Sequence, residues 1–364
     1  MNQTKQIPIA GIFTSIILIG VMMLLAGHAD TAALILKERI TLCLTVLIPS
    51  LFGCMVISNL LCTGGTGEAL GRCFRHTAAF FRMTPAVFSI FLISQLAGYP
   101  VGTLLLRRAA DAGDISAQDA ARLSCVCYGG GPAFLVGLAG KQLFGSTAAG
   151  ICIMCACIAA NSCMAFLLRP KNKAVPTPET AHTEYGISAQ TLTDAVSAAM
   201  RSLAQICAMV LLFGLIQCIL SMLGVSAAIG KLTASAGIPA QTAEAMLGCF
   251  MDVTQLHALF RCGLSFQMLL PITAGLLSFG GCCVQLQCVA LGVRALHPAR
   301  LFCIRLAAGL LTALLTYLLL PLLPIPPESA VTAFAEHTVI SKQGSVLPAI
   351  MIFFTGFPFL LKKD

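Results

Sequence analysis

The chain has 364 residues, 58% hydrophobic and 10% charged, with a net charge of +8 and a mean hydropathy of +0.92. No soluble domain of this size could enclose that much apolar surface, so the composition specifies an all-α polytopic membrane protein. A β-barrel would need alternating segments of about 10 residues, which are absent, and the modest positive charge reads as cytoplasmic loops rather than nucleic-acid binding.

Ten apolar segments follow in chain order: 8–27, 40–62, 86–109, 119–141, 145–169, 192–223, 241–262, 265–292, 300–323 and 346–361. About eight of them are expected to span, and the lipid bilayer is the first partner this implies. The run from Lys5 to Ala26 ends in "GHA", which could be a cleavage site. It is long for a signal peptide, so an uncleaved first helix within 1–39 is expected. "RPKNKAVPTPETAHTEYG" (169–186) reads as a linker, placed at 170–190, and "PIPPESAVTAFAEHTVISKQG" as an outer loop before the last helix, together 324–364. Most of the 18 cysteines sit in apolar runs such as "ICIMCACIAA". Cys152 and Cys155 form a lone CxxC without histidine, so packing is expected rather than a metal, a cofactor or a disulfide framework.

Four segments are interrupted: at "GYPVG" (98–102), "YGGGP" (128–132), "MDVT" (251–254) and "SFGG" (278–281). Gly98 and Gly129 are 31 residues apart, Asp252 and Gly280 28. Each pair follows one unbroken segment and precedes another, which predicts an internal repeat, 40–169 and 191–323. If all ten segments span, the 22 lysines and arginines split evenly across the membrane. If the third and seventh segments are re-entrant hairpins, Arg107, Arg108, Arg122, Arg169, Lys171, Lys173 and Arg201 move inside, giving 16 inside and 6 outside. The positive-inside rule selects the second arrangement, with both termini cytoplasmic. The two repeats are then inverted, as in many secondary transporters.

Non-helical backbone at membrane depth is tolerated where it lines a cavity. Gly98, Gly129, Gly130, Gly131, Gly280 and Gly281 allow close backbone approach, and Pro100 and Pro132 suit the first turns of the half-helices that follow. Gln95, Tyr99 and Thr103 flank the first tip. Thr254, Gln255 and His257 flank the second, and Ser278, Gln285 and Gln287 surround the fourth break. These residues are candidates for binding a small-molecule solute; each polar side chain has helix-to-helix hydrogen bonding as its alternative role. Asp252, the acidic residue placed at membrane depth, is the candidate for a coupling proton or Na+, with His257 nearby. Half-helices start and end at the same tips, so their dipoles do not choose the sign of the solute. There is no HExxH, GxSxG or phosphate-binding loop, and Asp252 and His257 are five apart, off one helix face, so no enzyme or primary pump is expected.

"IPSLF" (48–52), "GYPVG", "GGGPAFLVG" (129–137), "DVT" (252–254) and "SFGGCCVQLQ" (278–287) resemble the YlbJ (SpoVV) sporulation integral membrane proteins, over residues 40–323. That family carries the "Gate" nucleoside-recognition module. The chain differs from it in "YGGGP", where Asn/Ser-Pro-type residues are usual, and in Leu256, where glycine is usual. The resemblance implies movement of dipicolinic acid from mother cell towards forespore, in the bacterial cytoplasmic or outer forespore membrane. The alternatives are a nucleoside-type carrier and a non-transporting component of spore assembly; a homo-oligomer is compatible with any of them.

Overall fold

The computed structural model describes residues 9–61, 66–169, 188–235 and 237–322. Among these residues every regular element is helical. The linker as far as residue 187, both chain ends, and the outer loop and last helix expected at 324–364 lie outside the described residues.

The first half contains α1 (Ile9–Gly27), α2 (Ala29–Leu42), a π-helical stretch (Cys43–Leu47) and α3 (Ile48–Leu61). It continues through α4 (Thr66–Cys73), α5 (Arg75–Phe80), α6 (Pro85–Ala97), α7 (Val101–Asp111) and α8 (Ala117–Ser124), a second π-helical stretch (Ala133–Leu143) and α9 (Thr147–Leu167). The second half contains α10 (Ala189–Met222), α11 (Val225–Ala234), α12 (Ala240–Met251), a 3₁₀ stretch (Val253–Arg261), α13 (Phe266–Phe279), α14 (Gly281–Leu291) and α15 (Pro298–Leu319). Helix starts follow local chemistry. The Thr84 hydroxyl accepts from the Val87 N–H at 3.3 Å, with Pro85 opening α6. Ser146 and Ser188 cap α9 and α10 in the same way, each satisfying a donor the helix leaves orphaned.

Among the described residues four stretches are long and apolar enough to cross a membrane: Thr147–Leu167, Ala189–Met222, Phe266–Leu291 and Pro298–Leu322. The pair Gly11–Gly27 and Ala29–Leu47, bent by 89°, makes a fifth if it counts as one span. Phe13, Leu18 and Met23 on α1, and Leu310, Leu314 and Leu318 on α15, are exposed, which suits lipid and not water. Among the described residues the chain is an all-α membrane protein with four or five such spans; α6, the second π-helical stretch and α11 are shorter apolar helices.

One element departs from the sequence reading. The segment expected to begin at 40 begins at Ala29 and runs unbroken to Leu61 through the π-helical stretch. At 1.5 Å per residue it is about 50 Å long, close to the 34-residue α10. The boundary drawn between 39 and 40 therefore falls inside a helix. Charged Lys37, Glu38 and Arg39 read as loop, yet the helix carries all three, with Lys37 and Glu38 exposed and Arg39 turned into the interior.

α2 and α3 pack along α10, α9 packs along α15, and α13 packs against α15. Between these long helices sit the broken ones. α6 and the second π-helical stretch lean on α3; α12 and α14 lean on α10.

Candidate functional site

All four interruptions are breaks in the backbone. α6 ends at Ala97, Gly98 takes φ +82° and the Tyr99–Pro100 peptide bond is cis. Residues 125–130 follow no helix, and Gly131 takes φ +69°. Asp252 is extended between α12 and the 3₁₀ stretch. Gly280 and Gly281 take φ +81° and +74° between α13 and α14. Pro132 lies in the first helical turn after its break, as expected, while Pro100 sits at the cap, one residue before α7; neither place needs an intrahelical N–H.

The breaks meet in pairs. The Tyr99 N–H donates to the Gly129 carbonyl at 2.6 Å. A Cβ on Gly131 would lie 3.1 Å from both the Leu96 carbonyl oxygen and the Gly98 nitrogen. A Cβ on Gly281 would lie 3.2 Å from the Met251 carbonyl oxygen and 3.1 Å from the Val253 nitrogen. In each half the glycine faces a carbonyl and the amide two residues on. By this correspondence Asp252 occupies the position that Ala97 holds in the first half.

Arg305, inside α15, is fully buried and ties the pairs together. Its Nη1 donates to the Cys125 carbonyl at 3.1 Å and to Asn161 Oδ1 at 2.8 Å. Its Nη2 donates to the Ser278 carbonyl and, at 3.1 Å, to Ser278 Oγ. The guanidinium carbon lies 4.2 Å from the Tyr128 ring centre. Asn161 Nδ2 donates to Gln95 Oε1 at 2.8 Å and to the Tyr128 carbonyl at 2.6 Å. The Tyr128 hydroxyl reaches the Phe279 carbonyl at 3.2 Å, the Tyr99 hydroxyl the Leu277 carbonyl at 3.4 Å. The links that end on backbone carbonyls, those of Cys125, Tyr128, Leu277, Ser278 and Phe279, run into irregular or terminal stretches whose carbonyls lack helical partners. The network thus supplies the hydrogen bonds that the broken helices forgo.

A cavity of about 30 Å³ lies between the halves. Both halves of the chain line it: Leu47, Leu51, Tyr99 and Phe134 from the first, Ile206, Val210, Thr254 and Val284 from the second. Gly130, Asp252, Val253, Cys283 and Gln287 complete it. That volume holds a water or two, or a bare cation, and no organic solute. Asp252 is 1% exposed. Its Oδ1 accepts from the Thr254 N–H at 3.0 Å, while Oδ2 and the Thr254 hydroxyl have no hydrogen-bond partner.

Of the residues singled out in the sequence, Tyr99, Gly130, Asp252, Thr254 and Gln287 line this cavity. Gly98, Gly129, Gly131, Gly280 and Gly281 shape the backbone around it. Gln95 and Ser278 belong to the arginine network, and Gln285 Nε2 donates to the Phe279 carbonyl at 3.3 Å. Thr103 is buried on α7, its methyl packed close to Gly292. Gln255 turns back towards Gly248, and His257 lies half-buried outside the cavity wall. Two arginines that the sequence reading does not single out are interior: Arg305, and Arg39, which is 6% exposed. Asn161 joins them. The signal for Arg305 was present in "LFCIRLAAGLL", a lone cation within an apolar helix, which marks function or a buried network. Nothing in the local sequence distinguishes Arg39 from its neighbours Lys37 and Glu38. Comparison with known protein families, with curated proteins and with solved structures finds no match to this chain.

Proposed function

We propose that this protein is a secondary membrane transporter of a small organic solute, built from two inverted repeats whose hairpin tips enclose the solute path. The observation that carries this reading is the cavity: a buried carboxylate with an unpartnered oxygen, at the meeting point of four helix breaks. Residues of both halves line it. Corresponding long helices also pack on each other, α3 on α10 and α9 on α15, as a two-fold relation between halves requires. Setting aside buried Arg39 and Arg305 removes one positive charge from each side, so the bias that supports the inverted arrangement survives. About eight segments then span and two re-enter, in the cytoplasmic membrane.

Asp252 is the coupling residue in this reading. A buried, ionised carboxylate with one oxygen unpaired is strongly unfavourable, so the closed conformation favours a proton or Na+ on it. Its counterpart in the first half is Ala97, so the repeat supplies one such site and not two. The cavity is too small for the solute, so a conformation with the halves moved apart binds it, as alternating access demands. The resemblance to the YlbJ family supports dipicolinate as the solute. The test is thermal stability of the purified protein against dipicolinate, uridine and succinate. At 100 times its dissociation constant a ligand adds about 2.7 kcal/mol, and the shift with dipicolinate is the expected result. A shift with uridine alone makes the protein a nucleoside-type carrier; no shift with any of them, and no uptake into liposomes, overturns transport in favour of a role in spore assembly.

A further inference from the structure

Beside the cavity stands a second unpaired charge. Arg39 Nε has no hydrogen-bond partner, and Arg39 Nη2 makes one long contact, 3.4 Å, to Gln217 Oε1. Four of the unpartnered buried side-chain atoms among the described residues gather here: Arg39 Nε, Asp252 Oδ2, Thr254 Oγ1 and Gln255 Nε2. They are joined through one point. Gln217 Nε2 donates to the Gly248 carbonyl at 3.1 Å, the Asp252 N–H donates to the same carbonyl at 2.8 Å, and Gln255 packs on Gly248. Room for Arg39 is built in, since a Cβ on Gly214 would lie 3.0 Å from Arg39 Cγ.

Arg39 and Asp252 are buried groups of opposite charge linked through Gln217 and the Gly248 carbonyl, yet no ion pair within 4.0 Å joins them. Leaving both unpaired is costly. A water would satisfy hydrogen bonds there but would neutralise neither charge. A ligand pair of complementary charge does both: an anion on the two donors, a cation on the two acceptors. One edge of a guanidinium matches a carboxylate in two parallel hydrogen bonds, and the Gln255 amide is a further donor.

We infer that Arg39 and Gln255 form a carboxylate subsite beside Asp252, so that a carboxylate solute and its coupling cation are carried together as a neutral pair. This rests on the transporter reading of the same cavity. It is tested on the full chain, in detergent and in liposomes, with dipicolinate and with its uncharged diamide, in sodium or choline chloride and over a range of pH. Dipicolinate is expected to stabilise the wild type and the diamide is not. Arg39→Gln is expected to bind dipicolinate at least tenfold more weakly while keeping the sodium- or pH-dependent stabilisation that reports Asp252. Arg39→Lys recovers part of the binding, which a merely misfolded protein would not. Equal binding of dipicolinate by wild type and Arg39→Gln, or equal binding of diacid and diamide, overturns the subsite while leaving transport standing. Failure of the wild type to bind or move any solute, uridine included, overturns the transporter reading and the subsite with it.

Discussion

Arg305 and Asp252 show how differently two buried charges are managed. The arginine has no carboxylate beside it, but four acceptors and an aromatic face surround it. Arg305→Met strands those carbonyls at the breaks, and we expect a loss of about 3 kcal/mol, read as a lowered thermal midpoint in detergent. Arg305→Lys should recover little, since an ammonium cannot span acceptors on three helices. Asp252 is the opposite case, with one oxygen paired and one not. Asp252→Asn removes an uncompensated charge, so stability should hold or rise. Uptake in liposomes should lose its dependence on sodium or on pH; uptake that keeps that dependence removes Asp252 from the coupling role.

At the scale of elements, the equivalence of the two break pairs makes a paired prediction. Gly131 and Gly281 both take positive φ and both press on backbone. Alanine at either position should destabilise by about 1–3 kcal/mol, and by similar amounts if the two halves are built alike. Gly53, in α3 with open space around it, is the control, where alanine should change stability by less than about 0.5 kcal/mol. Unequal costs at 131 and 281 would weaken the correspondence that pairs Ala97 with Asp252. Three of the breaks were legible because glycine or proline interrupts an apolar run, and the one at "MDVT" because a carboxylate does. The start of α2 was not, because three charged residues in a row look like loop until a neighbouring helix gives one of them somewhere to go.

For the whole molecule, a cavity of about 30 Å³ means that the proposed transport needs a different arrangement of the halves. Cys283 lines that cavity and is buried. A membrane-impermeant thiol reagent, followed by peptide mapping, should label it slowly in the resting protein, and saturating dipicolinate should slow labelling by about tenfold. If Cys283 reacts only in denatured protein, the halves do not part. Composition alone determined that the chain is helical and membrane-embedded, since so much apolar surface has no other stable setting. Local sequence determined where the helices break, and that Asp252 marks one tip, because backbone geometry and the expense of a buried carboxylate are properties of single residues in their immediate context. Tertiary structure alone decided which polar groups face the cavity, which tie the scaffold together, and that Arg39 and Arg305 are interior. Those roles depend on partners supplied by other helices: Asn161, some 140 residues from Arg305, and Gln217, 178 residues from Arg39. A pairing of that range leaves no trace in the periodicity or spacing of either segment, because each helix by itself satisfies its own backbone and is silent about what its polar side chains will meet.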